Sequence, residues 1–188
     1  MNESQQHIYV LLTDTGTLFT KLIRMFTKAP MNHASIALDP ELKEVYSFGR
    51  KNRRNPLIGG FVKEDMSSNL FDRATCALYH CTVSKGTYER IRQHMWEMER
   101  NEHRYKYNLL GLFGVLLNKR IQRKNAYFCT QFVAAVLEEN GVPVSSKPSA
   151  LVTPADIERA QALRQVYRGT LEEYMSEQWT GLAHSEPA

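Results

Sequence analysis

Apolar positions along the chain fall into short strand-like runs and longer helical stripes. Residues 8–12 are a continuous apolar run of strand length, and Asp14-Thr15-Gly16 supplies turn chemistry behind it. Thr17 is placed to cap a helix through about residue 26, with Leu18, Leu22, Met25 and Phe26 on one face and Pro30 to end it. A second strand opens at His33 and runs through Ala34, Ser35, Ile36, Ala37 and Leu38. Asp39-Pro40-Glu41 predicts a turn, and residues 44–48 a return strand. Residues 50–55 read as a polar, basic loop. Residues 56–62 read as a glycine-bearing loop into a further short strand, and residues 66–72 as another loop.

Residues 75–83 predict a strand that carries Cys76 and Cys81 on opposite faces. A long helix follows over about 88–101, with Ile91, Met95 and Met98 as its apolar stripe. Residues 109–117 are wholly apolar apart from two glycines, Gly111 and Gly114. They are too few to span a bilayer and read first as a buried helix. The same stretch fits an acyl-binding groove or a membrane-touching edge beside the basic residues of 119–124. Such a basic run is in most proteins a solvated face. A helix from Cys129 to about Asn140 stops at Gly141, with Val142-Pro143 beyond it. Thr153-Pro154-Ala155-Asp156 is a helix start, and residues 163–167 suggest a last strand. Strands and helices do not alternate as βα units. The expected fold class is therefore α+β, an antiparallel sheet packed with helices. One domain over residues 1–175 and a polar, mobile C-terminal tail over 176–188 complete the expected organisation.

Composition narrows this picture without naming a function. The 188 residues are 43% hydrophobic and 23% charged, an ordinary globular balance. The net charge of +4 suits an acidic partner or a membrane surface, but acids are interspersed with the bases and nucleic acid is not indicated. Three cysteines, an odd number, argue against a disulfide framework and for a reducing, cytoplasmic setting. No clustered Cys/His spacing suggests a metal, and no signal-peptide pattern opens the chain.

The chemistry worth weighing lies in Tyr127-Phe128-Cys129-Thr130-Gln131-Phe132-Val133. A thiol on the first turn of a helix faces its positive end, which favours the thiolate. His33, opening an apolar strand, is a suitable base partner. Each residue has a blander reading: a cysteine packs like a small hydrophobe, and a lone histidine is more often structural than catalytic. A third group to orient the imidazole is left open among Ser47, Glu44 and Tyr46, with Ser47 nearest in the expected hairpin. The Cys129 backbone N–H is the expected oxyanion donor, and Asn32 and Tyr127 are candidates for substrate binding.

Taken in order, these landmarks resemble the circularly permuted papain-fold hydrolases, relatives of NlpC-type cell-wall peptidases and of lecithin:retinol acyltransferase. The resemblance rests on the Thr-Gly turn, Asn32-His33-Ala34-Ser35-Ile36-Ala37, the cysteine block and Val152-Thr153-Pro154-Ala155-Asp156, and covers about residues 8–168. It implies a permuted papain-like fold and a Cys129–His33 pair acting through a thioacyl intermediate. Amide or ester substrates of peptide-like, cell-wall-derived or N-acyl type are implied, with no metal or organic cofactor. A non-catalytic binding module of the same fold, and a peripheral membrane or partner-binding protein, are the alternatives.

Overall fold

A computed structural model describes residues 4–14, 31–51, 59–69, 71 and 73–183. The helix expected over 17–26, residues 52–55 of the expected basic loop and residues 56–58 of the glycine-bearing segment after it lie outside the described residues. Eight strands and five helices are described: β1 (Gln5–Asp14), β2 (His33–Ala37), β3 (Val45–Arg50), β4 (Gly59–Glu64), β5 (Thr75–Ser84), α1 (Lys85–Arg100), β6 (Lys106–Tyr107), α2 (Leu109–Leu116), β7 (Ala126–Tyr127), α3 (Cys129–Glu139), α4 (Pro154–Glu158), β8 (Arg164–Thr170) and α5 (Leu171–Ala183).

Six strands form one sheet in the order β4-β3-β2-β1-β5-β8, and every pairing in it is antiparallel. The α+β expectation therefore holds. β1 lies inside the sheet, which explains why Val10, Leu11 and Leu12 are all buried: successive side chains enter opposite cores. Ile8, Val10 and Leu12 join Ile91, Met95 and Met98 of α1 and Phe132 and Val133 of α3 on one face. Leu11, Cys76 and Leu78 join Met66, Phe71, Leu171 and Tyr174 on the other. Cys76 and Cys81 divide between these two cores, as their spacing predicts, and all three cysteines are free.

Helix ends follow local chemistry. Ser84 caps α1 by accepting from the Thr87 N–H at 3.1 Å, so the helix starts three residues earlier than the apolar stripe suggests. Thr153 and Asp156 form a reciprocal capping box on α4. Gly141, at φ +80°, ends α3 while Val142 N–H bonds back to the Leu137 carbonyl at 2.8 Å.

Two expectations need correction. The polar tail expected from Ser176 is helical as far as Ala183, because α5 starts on the buried Leu171 and Tyr174 and carries the chain onward. Residues 109–116 are helical, but not as a buried segment. Leu110, Phe113 and Leu117 are exposed, while Gly111 and Gly114 are buried.

Candidate active site

The start of α3 is fixed by aromatic packing. Phe132 sits 5.2 Å from Phe48 and 5.8 Å from Phe61, ring centre to ring centre, and Tyr127 sits 5.1 Å from Phe48. These contacts seat the helix on β3 and β4. Thr130 Oγ1 donates to the Val152 carbonyl at 2.7 Å. Gln131 Oε1 accepts from Asn108 Nδ2 at 3.3 Å, and Asn108 N–H bonds to the Tyr127 carbonyl at 2.8 Å. The three residues that begin the helix are thus buried and held from three directions. The N-cap residue is Phe128, in extended backbone, whose side chain cannot accept a hydrogen bond. The positive end of α3 is left without a side-chain cap beside the Cys129 sulfur.

His33 begins β2 and brings its ring to that sulfur. One imidazole nitrogen, Nε2, lies 2.7 Å from Glu64 Oε1. The Cys129 thiol is within hydrogen-bonding reach of the same ring. Glu64 in turn accepts from Ser47 Oγ at Oε1 and from Ser35 Oγ at Oε2, both at 2.7 Å. A carboxylate at the rim of a core thus has three side-chain partners on two oxygens, which offsets its desolvation. The His33 and Glu64 side chains are 17% and 9% exposed.

Electrostatics here follow from burial opposed by charge. Burial alone would lower the His33 pKa, but the Glu64 carboxylate and the hydrogen bonds to Cys129 and Glu64 raise it from 6.5 to about 10. Burial alone would raise the Glu64 pKa, and the adjacent imidazolium and the hydroxyls of Ser35 and Ser47 bring it below its ordinary value. The pair is therefore ionised at neutral pH. Burial pushes the Cys76 thiol up to about 12 and the Cys81 thiol up to about 11.

Sequence reasoning paired Cys129 with His33, and the structure brings the two together. The orienting group is Glu64, which was not among the candidates. Ser47 bonds to Glu64 instead of His33 and so acts one step behind the imidazole. Tyr46 and Glu44 hydrogen-bond each other at 3.3 Å, Tyr46 also reaching Glu99 at 3.5 Å. Glu64 was missed because it lies on β4, opposite Val45, two strands from β2 in the sheet. The signal that could have found it is Ser35 and Ser47, two hydroxyls buried on core strands that require a polar partner on the same face.

Of the candidates for substrate binding, Asn32 is buried and donates through Nδ2 to Asp14 Oδ1 at 2.8 Å, while its own buried Oδ1 has no hydrogen-bond partner among the described residues. Tyr127 is half-buried, and its ring packs on Phe48. No group of three metal-ligating side chains occurs among the described residues. No helix among them is long and apolar enough to cross a membrane.

The chain matches no model of a known protein family, and no curated protein matches its sequence.

Proposed function

We propose that the protein is a thiol hydrolase or acyltransferase of permuted papain-like (NlpC-like) type, cleaving an amide or ester bond. The observation that carries the reading is the continuous relay from Cys129 to His33 to Glu64, with the carboxylate fixed by Ser35 and Ser47. A buried ion pair is costly to assemble for stability alone, so its alignment on a helix-start thiol favours a catalytic role. Peptide-like, cell-wall-derived or N-acyl compounds are the substrate classes that the family resemblance suggests. A reducing, cytoplasmic setting keeps Cys129 a free thiol.

In this mechanism the Cys129 sulfur, as thiolate, attacks the carbonyl carbon, and the first-turn N–H groups of α3 stabilise the oxyanion. The His33 imidazolium gives its proton to the leaving amine or alkoxide as the carbon–heteroatom bond breaks, and a thioester remains on Cys129. Water or an acceptor amine then attacks the thioester. Neutral His33 takes the proton from that nucleophile, and the product acid or amide leaves with Cys129 restored as thiolate. Glu64 stabilises the imidazolium and fixes the ring orientation, the role of the third group in a triad.

The test is alkylation by iodoacetamide with mass-spectrometric site mapping, followed by intact-mass detection of a thioacyl adduct on activated acyl esters. Cys129 should react at least tenfold faster than Cys76 and Cys81, whose thiols burial keeps protonated. His33→Ala should slow it, and Cys129→Ala should abolish the adduct while leaving the fold intact. Equal labelling of the three thiols, or labelling of Cys129 indifferent to His33→Ala, would refute the catalytic pair and leave a binding module of this fold.

A further inference from the structure

The helix α2 is built inside out. In a surface helix of a globular protein the large apolar side chains face the core and small or polar residues face water. Here the glycines face inward. A Cβ at Gly111 would run into the Asn108 side chain, and one at Gly114 into the Lys119 carbonyl oxygen and Ile121. Three of the large residues are turned outward. Leu110, Phe113 and Leu117 are 56%, 47% and 67% exposed, and their spacing puts them on one side of the helix. No polar side chain interrupts α2.

Charge is concentrated at the same place. Residues 103–137 hold six Lys and Arg and no Asp or Glu, whereas the remaining residues hold 18 basic and 20 acidic side chains. The whole net positive charge of the chain therefore sits in this segment. Lys119, Arg120, Arg123 and Lys124 are all exposed, and none forms an ion pair with a described residue. They follow α2 directly, tied back to it by the Lys119 N–H to Gly114 carbonyl bond of 2.8 Å.

We infer that the exposed face of α2 and the basic turn after it form a docking surface for an anionic lipid bilayer. Protruding apolar side chains beside exposed cations match the acyl boundary and the charged headgroups of such a surface. A nucleic acid would use the charge and leave the leucines in water, whereas an anionic bilayer takes both. Docking here goes beyond the catalytic proposal and does not depend on it. The two meet in the geometry: Asn108, the cap of α2, is bonded to Tyr127, two residues before Cys129, so a docked α2 holds the α3 start next to the lipid surface.

The experiment is co-sedimentation of the full chain with phosphatidylcholine vesicles, with or without one third phosphatidylglycerol. The protein should pellet with the mixed vesicles and not with pure phosphatidylcholine. Binding should fall steeply at about 0.5 M salt, where the screening length shrinks to a few Å. Phe113→Ser with Leu117→Ser should cut binding at least tenfold with an unchanged circular dichroism spectrum. Lys119→Gln should cut it about fivefold, the effect of one cation near an anionic surface. Cys129→Ala should pellet like the native chain, which separates failure of docking from failure of the catalytic reading. Pelleting that ignores anionic lipid, or that survives loss of Phe113 and Leu117, overturns the inference. So does absence of pelleting joined to a concentration-dependent dimer that the same double substitution abolishes, which would assign the face to a second copy of the chain.

Discussion

Glu64 decides how His33 behaves. Without the carboxylate, burial would push the imidazole toward its neutral form, and with it the imidazolium persists far above 6.5. Glu64→Gln keeps the shape and one acceptor oxygen, turns the other into an amide N–H2 that donates to a serine hydroxyl, and removes the charge. The His33 pKa should then fall below 6.5, read by NMR titration of its ring proton, and iodoacetamide labelling of Cys129 at pH 7 should slow with it. A His33 titration unmoved by the substitution would deny Glu64 this role. Ser47→Ala asks a different question. It removes one of three partners of a buried carboxylate, and a hydrogen bond to a charged group contributes about 1.5–3 kcal/mol. Denaturant unfolding should show a loss in that range, with a smaller downward shift of His33 than Glu64→Gln causes. Cys129 and His33 were legible in the sequence because each opens a regular element with a recognisable apolar pattern. Glu64 was not, since a lysine and a glutamate at the end of a short strand look like any polar strand exit. Only the pairing of β3 with β4 turns Glu64 inward and Lys63 outward.

Among the elements, β4 lets α3 sit where it does. The chain before α2 crosses the outer side of β4, and the two glycines that open the strand permit that crossing. A Cβ at Gly60 would run into the Tyr105 carbonyl oxygen, and one at Gly59 into the Gly49 carbonyl oxygen and the Tyr107 side chain. The segment that passes there continues into β6, which pairs in parallel with β7, the two residues just before Phe128 and Cys129. Gly60→Ala should therefore cost about 1–3 kcal/mol as an overpacking change, measured by thermal or denaturant unfolding. Gly49→Ala, whose Cβ would meet only ordinary contacts of 3.5 to 3.8 Å with Val62, Ser47 and His33, should be tolerated. Equal losses for the two would show that the crossing does not constrain the fold. Strands β1, β2 and β5 and helices α1, α3 and α4 were readable from apolar spacing and caps. The two-residue strands β6 and β7 were not, because their pairing is set by tertiary contact and no local propensity marks it. The orientation of α2 was hidden for a related reason. An all-apolar helix has no pattern to say which side faces in, and the close approach of Asn108 and Ile121 to its glycines makes the choice.

At the scale of the molecule, the sheet joins two cores, and the ionised pair stands at the rim of one of them, so its titration reports on the stability of the whole fold. The His33 pKa is raised from 6.5 to about 10, so its contribution is complete below 6.5 and is lost as pH rises toward 10. The Glu64 pKa is lowered from 4.5, so its contribution is complete above 4.5 and is lost as pH falls through the depressed value. The pair should thus stabilise the fold most between about 4.5 and 6.5. The thiols of Cys76 and Cys81, raised from 9.0 by burial, add their own alkaline loss only above pH 9. Between 6.5 and 9 the raised His33 contributes and these two thiols do not. A double variant, His33→Gln with Glu64→Gln, keeps polar side chains in both places and carries neither charge. Urea midpoints of the native chain should decline across that interval while those of the double variant stay level, so the gap between them narrows with rising pH. Parallel profiles would mean that His33 titrates as an ordinary histidine. The imidazolium would then be absent at neutral pH, and the first step would require His33 to act as a base toward a thiol, without a preformed ion pair.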